Sequence, residues 1–359
     1  MLHNTSMSNL KKSSPLRQLS YSDALFEALD QEMTRDECVF VYGQGADDPK
    51  GHYATTLNLH QKYGPARCFD TPLAEESMLG IGIGAAMAGL RPVNIHQRVD
   101  FLMVCMNQLV NIAAKQHYIS AGALRVPLTI RACIGRSWGQ GAQHSQSLYS
   151  MFAHIPGLIV LAPVTAHDAK ASLIAAIRND NPVIIIEHRL LYPLKGHVYK
   201  KSDPLILPFI RRLHKGDDLT IVAVSHAAIE ATRATQALAK LGIKAELLNP
   251  VSISPLDCQT IAQSFAKTKR LLMVDNDWLD CGLSAEIMAK MVEHGLGAHP
   301  MRRLGFAQTP CPTTHVLENA FYPNGQSILK TALELCELKP ESLPTLKPAL
   351  EIDAFRGPF

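Results

Sequence analysis

Short, unbroken apolar runs alternate along this chain with longer segments whose apolar residues recur at helical spacing. Cys38–Tyr42 reads as a buried strand, and the stretch before it places Leu25, Phe26, Leu29 and Met33 on one helix face behind a Ser22 cap. A helix from Leu73–Glu76 to Gly89, a strand over 92–95, a long helix over Asp100–Tyr118 and a strand over 127–133 follow. A loop over 135–147, a strand over 158–163, a helix over Ala166–Arg178 and a strand over 182–187 complete the series. Strands that are apolar throughout, interleaved with helices, predict a parallel sheet covered on both faces. The pattern lapses over 188–218, where Lys195, Lys200, Lys201, Arg211, Arg212 and Lys215 accumulate. It resumes with strands over 219–224, 244–250 and 270–275 and helices over Ala227–Leu241, after Pro255 and over Ser284–Glu293. The expected organisation is α/β with two doubly wound domains: a disordered leader 1–19, a first domain 20–190, a linker 191–217, a smaller second domain 218–338 and a proline-punctuated tail 339–359.

Composition narrows the function classes. Of the 359 residues, 47% are hydrophobic and 19% charged, and the formal net charge is only +3. With no Lys/Arg-rich run, nucleic acid is not an expected partner. The eight cysteines include no CxxC pair, and several sit inside apolar runs, as buried reduced thiols do. The uncharged stretch Ser77–Leu90 is too short and too rich in glycine to span a bilayer, so no membrane is expected either. The first twenty residues lack an acid and carry Lys11, Lys12 and Arg17, but have no apolar core of the kind a secretory signal needs. A polar leader on a cytoplasmic protein fits, with an organellar transit segment left open.

The chemistry concentrates in Phe69–Pro92. Glu75 and Glu76 stand at the mouth of a helix that carries Gly80, Gly82, Gly84 and Gly89 among alanines. Each helical glycine costs about 1 kcal/mol against alanine, so close backbone approach is expected. The acids either complement the helix dipole or do chemistry, and spacing alone leaves both open. The glycines do not fit GxGxxG and no strand precedes them, which argues against a dinucleotide site. Phe101 opens the next helix, as a core residue or as a stacking platform. His144 sits in a glycine-rich loop after Trp138, where a side chain is exposed at the end of a strand and can exchange protons near neutral pH.

The segment TPLAEESMLGIGIGAAMAGLRP resembles the cofactor segment of the beta subunits of thiamine-diphosphate-dependent 2-oxoacid dehydrogenases, of the pyruvate and branched-chain type in the transketolase-like superfamily. DFLMVCMNQLVNIAAK, GQGAQHSQS, HIPGL and NDNPVIIIEHRLLY extend the resemblance in collinear order. It implies a pyrimidine-binding domain followed by a transketolase C-terminal-like domain. Glu75 falls on the glutamate that bonds the pyrimidine of thiamine diphosphate, a task that calls for an apolar setting, here Leu73, Ala74, Met78 and Leu79. Phe101 falls on an aromatic that packs against that ring, and His144 on a histidine close to substrate and acyl group. Glu76 is expected to face water or a partner.

The chain has no Gly-Asp-Gly segment with its following asparagine pair. The resemblance therefore implies an alpha subunit that brings the diphosphate site and magnesium, in an α2β2 heterotetramer that passes its acyl unit to a lipoyl acyltransferase. It also implies a structural potassium ion near Leu128, Ala176, Asn179 and Asn181, with Asn179 where aspartate is commoner. Two departures bear on the small-molecule 2-oxoacid. Gly43-Gln44 replaces Gly-Glu, and Ile95-His96-Gln97-Arg98 replaces an acidic, more aromatic segment, which makes His96 and Arg98 candidate substrate residues. For Arg98 an ion pair with Asp100 or with the alpha subunit competes with that role. Half of a split transketolase and a non-catalytic assembly subunit are the alternative functions.

Overall fold

The computed structural model describes residues 16–136, 139–339 and 343–346. The first fifteen residues of the expected leader, Trp138 and most of the expected tail lie outside the described residues. The chain begins with β1 (Leu16–Ser20) and α1 (Tyr21–Arg35), followed by β2 (Val39–Gly43), α2 (Leu59–Tyr63), β3 (Cys68–Phe69), α3 (Glu75–Met87) and β4 (Arg91–His96). Next come α4 (Ala114–Ile119), β5 (Thr129–Ile134), α5 (Tyr149–Ala153), β6 (Ile159–Leu161), α6 (Ala166–Arg178), β7 (Val183–His188), β8 (Lys195–Tyr199) and β9 (Ile210–His214). The last part runs β10 (Leu219–Ala223), α7 (Ala227–Lys240), β11 (Ala245–Pro250), β12 (Ser252–Ser254), α8 (Cys258–Thr268), β13 (Leu271–Trp278), α9 (Leu283–Glu293), β14 (Met301–Phe306), α10 (His315–Phe321) and α11 (Gly325–Leu335).

Seven strands form the first sheet in the order β12-β6-β7-β5-β4-β2-β3, and five form the second in the order β14-β13-β10-β11-β9. Within these two sheets the pairings are parallel except those of the edge strands β12 and β9. The alternation that predicts this sheet is visible in β7, where Val183 and Ile185 enter one apolar layer and Ile184 and Ile186 the other. The same two layers take Ile221 and Val222 of β10, so the apolar packing is continuous between the two α/β units.

Four local expectations give way. Leu16–Ser20, all but Ser20 placed in the leader, pairs antiparallel with Lys195–Tyr199, placed in the linker; β9, also from the linker segment, joins the second sheet. Helix α1 is capped at Ser20, two residues before the expected Ser22: Ser20 accepts from Asp23 N at 3.0 Å and Asp23 answers the Ser20 N–H. The helix expected over Asp100–Tyr118 winds in three ways: a 3-10 segment Val99–Cys105, a π segment Asn107–Ala113 and then α4. Finally, β12 leaves the second unit to become the edge of the first sheet. Among the described residues no helix is long and apolar enough to cross a membrane.

Candidate active site

The ends of β2, β4, β5 and β7 lie side by side, because these strands are parallel neighbours, and the chemistry-bearing residues follow them. Helix α3 faces this edge with its first turn. It is seated by Gly82, where an added Cβ would lie 1.9 Å from the Tyr42 hydroxyl, which donates to Met78 O at 3.1 Å. Close approach explains Gly82 but not Gly84, whose missing side chain faces open space. Apolar residues on the helix and in the loop before it are uncovered, with Ile81 68% and Leu73 82% exposed.

Glu75 is half-buried at the first turn, and its Oε1 accepts from Gln44 Nε2 at 2.9 Å. Gln44 is buried, and Gln97 Nε2 donates to its backbone carbonyl at 3.0 Å. Met78 and Leu79 are buried as expected, but Leu73 and Ala74 are exposed. The apolar setting expected around Glu75 is thus half made, since the loop that carries Leu73 and Ala74 runs over the surface of the chain.

His96 and Arg98 lie beneath this edge. The His96 ring is fully buried, with Nδ1 2.5 Å from Asn94 Oδ1, and burial pushes its proton affinity down to about 4 against the opposing charge of Glu75. Arg98 is 3% exposed; its Nη2 donates to Gly135 O at 2.6 Å and its Nε lies 3.9 Å from Asp100 Oδ2. Asp100 Oδ1 in turn accepts from Gln146 N at 3.3 Å and Gln146 Nε2 at 2.9 Å. The pair therefore grips the His144 loop at both ends, Arg98 at its start and Asp100 near its finish. In this arrangement the guanidinium and the imidazole are enclosed by the chain and do not line an open face, and the ion-pair alternative for Arg98 describes its surroundings.

That grip brings His144 edge-on to Phe101, with ring centroids 5.4 Å apart and planes at 87°. Both rings are half-buried. Helix α3 packs against the 3-10 segment that carries Phe101, so α3, that segment and the histidine loop converge. The loop is also mounted on the second unit. Gly139 and Gly141, at φ +65° and +67°, pass against Thr313, where a Cβ on either would come within 2.7 Å. Tyr149 donates to Asp275 and its hydroxyl accepts from Asn276 N at 3.0 Å, while Ser150 donates to Asp277 at 3.1 Å. The run Asp275-Asn276-Asp277, polar at the end of an apolar strand, was the available signal for this node. His154, expected under the loop, is exposed.

Burial first, and the Asp275 charge second, push the Asp277 carboxyl from 3.8 up to about 7. As pH rises the unfolded chain releases this proton first, so the folded state loses stability between about pH 4 and 7. Asp277→Asn should therefore melt higher than wild type at pH 8 and no higher at pH 4, as measured by thermal denaturation; a gain independent of pH would contradict this.

Leu128, Ala176, Asn179 and Asn181 meet where α6 ends and β5 and β7 begin. Leu128 O accepts from Val183 N at 2.9 Å, Ala176 O from Asn179 N at 3.1 Å, and Asn179 Oδ1 from Asn181 N at 2.9 Å. Arg91 Nη1 donates to Ile177 O at 2.9 Å and Asn179 O at 3.1 Å, so a guanidinium already brings positive charge to these carbonyls. Among the described residues no group of three or more His, Cys, Asp or Glu could hold a metal ion.

Residues 17–195 match the transketolase pyrimidine-binding domain and residues 210–328 the transketolase C-terminal domain. The chain is 39% identical over 326 residues to the mitochondrial pyruvate dehydrogenase E1 component subunit beta-1 of Arabidopsis thaliana, covering 89% of this chain and 90% of that one. It is 38% identical over 336 residues to the mitochondrial subunit beta of Drosophila melanogaster (91% and 92%) and 38% over 315 residues to that of Ascaris suum (86% and 87%). In fold it is similar to a split-gene transketolase solved as an inactive beta4 tetramer, with a TM-score of 0.73 at 19% identity, over 90% of this chain and 99% of that one. Two matched domains in this order, and this level of identity over nearly the whole length, mean that the chain belongs to the family of pyruvate dehydrogenase E1 beta subunits, within the transketolase-like superfamily.

Proposed function

We propose that this chain is the beta subunit of a thiamine-diphosphate-dependent 2-oxoacid dehydrogenase that works with an alpha subunit in an α2β2 assembly and delivers its acyl unit to a lipoyl acyltransferase. The observation that carries the reading is a carboxylate, Glu75, held by one oxygen at a helix mouth beside the paired rings of Phe101 and His144. This set fits the pyrimidine end of the cofactor. It is not read as the diphosphate end, because the guanidinium beneath the site, Arg98, is committed to Gly135 and Asp100, and Arg189 beside the histidine loop donates to Gln140. Magnesium and the diphosphate grip are therefore assigned to the alpha chain.

When bound, thiamine diphosphate supplies an acidic carbon able to attack a 2-oxo group and hold the electron pair released with carbon dioxide. Glu75 Oε2, left free by the bond from Gln44 to Oε1, is the atom placed to share a proton with the pyrimidine nitrogen. Phe101 would orient that ring by packing, and His144 would exchange a proton on the substrate side. The uncovered apolar residues Leu73, Ile81, Met87 and Leu90 on and around α3, with Val104 and Ile112 beside them, suit burial against a partner chain. Covering Leu73 would also complete the apolar setting of Glu75. A structural potassium ion at Leu128, Ala176, Asn179 and Asn181 would compete with Arg91, which already donates to the carbonyl of Asn179 and to that of the neighbouring Ile177.

Two measurements test this. Calorimetric titration should show poor binding of thiamine diphosphate and magnesium by the chain alone and tight binding once an alpha chain is present. Tight binding by the isolated chain would overturn the division of labour. Release of carbon dioxide from a 2-oxoacid, as opposed to ketol transfer to an aldose, separates the dehydrogenase from a split transketolase.

A further inference from the structure

Gln44 is held in place with unusual care for a residue without a charge. Gly43, at φ +129°, ends β2 so close to β4 that an added Cβ would lie 2.3 Å from Ile95 O. Only glycine fits there, which fixes where the next residue starts. Gln97 then takes the Gln44 carbonyl, and Gly45 N donates to Asp70 Oδ1 at 2.9 Å on the far side. Both backbone flanks of Gln44 are thus tied, and its side chain ends on Glu75 Oε1 at 2.9 Å.

The titratable groups that face Glu75 are His96 at the end of β4, Cys105 on the 3-10 segment and Glu76 beside it on α3. Burial keeps the imidazole neutral, and pushes the Cys105 thiol up to about 12. Neither carries charge in the neutral range. Gln44 is the side chain recorded as donating to the carboxylate.

We propose that Gln44 is a positioning residue that locks Glu75 Oε1 with an amide donor and leaves Oε2 as the single oxygen that handles the proton. The proposal rests on the reading of Glu75 as the proton-handling carboxylate. An amide cannot carry a proton at neutral pH, so position 44 is not a proton relay in this chain. A glutamate there would put two carboxylates at hydrogen-bond distance and make them share a proton. A methionine would fill the same space and donate nothing.

The test is NMR at fixed neutral pH on the full chain without cofactor, reading the Gln44 side-chain amide, with Gln44→Met spectra for its assignment. In the wild-type chain the Gln44 amide protons should exchange with solvent about tenfold more slowly than those of an exposed glutamine, which gives an answer even if a variant fails to fold. In Glu75→Ala that protection should be lost and the Gln44 15N resonance should move, whereas Glu75→Gln, which keeps an acceptor oxygen, should retain the protection. A Gln44 amide unprotected in the wild-type chain, or one that ignores Glu75→Ala, overturns the proposal. Because no cofactor is present, the outcome does not depend on whether the assigned reaction is correct.

Discussion

Turnover by the reconstituted enzyme is expected to fall by about 10²- to 10⁴-fold when Glu75 is replaced by Gln, the range associated with loss of a positioned acid–base group. The substitution removes the proton and almost no volume. The Glu75 side chain is half-buried and, among the described residues, bonded to Gln44, so the new amide can turn its oxygen to the Gln44 donor and leave the fold unchanged. What it cannot do is share a proton with a ring nitrogen at the other position, which now carries an NH2 group. The rate at which the cofactor's reactive carbon exchanges its proton for deuterium reports this step without the rest of the cycle. Exchange should slow in parallel with turnover, while circular dichroism and the melting temperature stay at wild-type values. Near-normal exchange in the variant would remove Glu75 from the mechanism.

The largest expected effect on stability lies away from the site, at Glu187. Arg131 on β5 and Glu187 on β7 face each other fully buried, with Arg131 Nε 2.6 Å and Nη2 2.9 Å from the two carboxylate oxygens. Thr55 takes a further guanidinium bond at 3.0 Å, and the Tyr192 hydroxyl donates to Glu187 at 2.8 Å. Taking two charges out of water is costly, and their geometry offsets that cost only as a pair. Glu187→Ala would strand a guanidinium that cannot lose its proton, at a cost of about 3–5 kcal/mol. Replacing both partners by apolar residues, as in Arg131→Met with Glu187→Leu, should restore most of the loss. Urea denaturation of the three chains decides the matter: a single variant that loses less than about 1 kcal/mol would mean that water or a neighbour reaches Arg131.

The parts of this fold legible in the sequence are those whose side chains alone dictate burial. The run Pro182–Glu187 admits little else than a strand covered on both faces, and the structure divides its residues between the two apolar layers. Leu16–Ser20 and Lys195–Tyr199 carry no such signal. They are short and polar, and become strands because they find each other 175 or more residues apart. The segment after Arg98 looked like one helix because apolar positions at 3-10, α and π spacing nearly coincide over two turns; contacts, not periodicity, set its winding. At the site, the residue types of Glu75, Phe101 and His144 were readable, and the resemblance supplied their roles. The residues that hold them were not. Gln44 meets Glu75 across 31 positions, Asp100 meets Gln146 across 46, and Tyr149 meets Asp275 across 126. Each is an ordinary polar residue until the chain closes.

The antiparallel strand β12 has a consequence for the newly made protein. Strand β6 is flanked by β7 on one side and by Ser252–Ser254 on the other, so the first sheet lacks its edge cover until that short segment has been synthesised. Some ninety residues separate the two, which at ~5–20 residues per second leaves the main-chain N–H and C=O groups of β6 open for roughly 5–20 s on each ribosome. An apolar strand with an open edge is a template for pairing with another chain. Chaperone demand during translation should therefore peak before residue 252 emerges, and fragments ending between β7 and β12 should aggregate where the full chain does not.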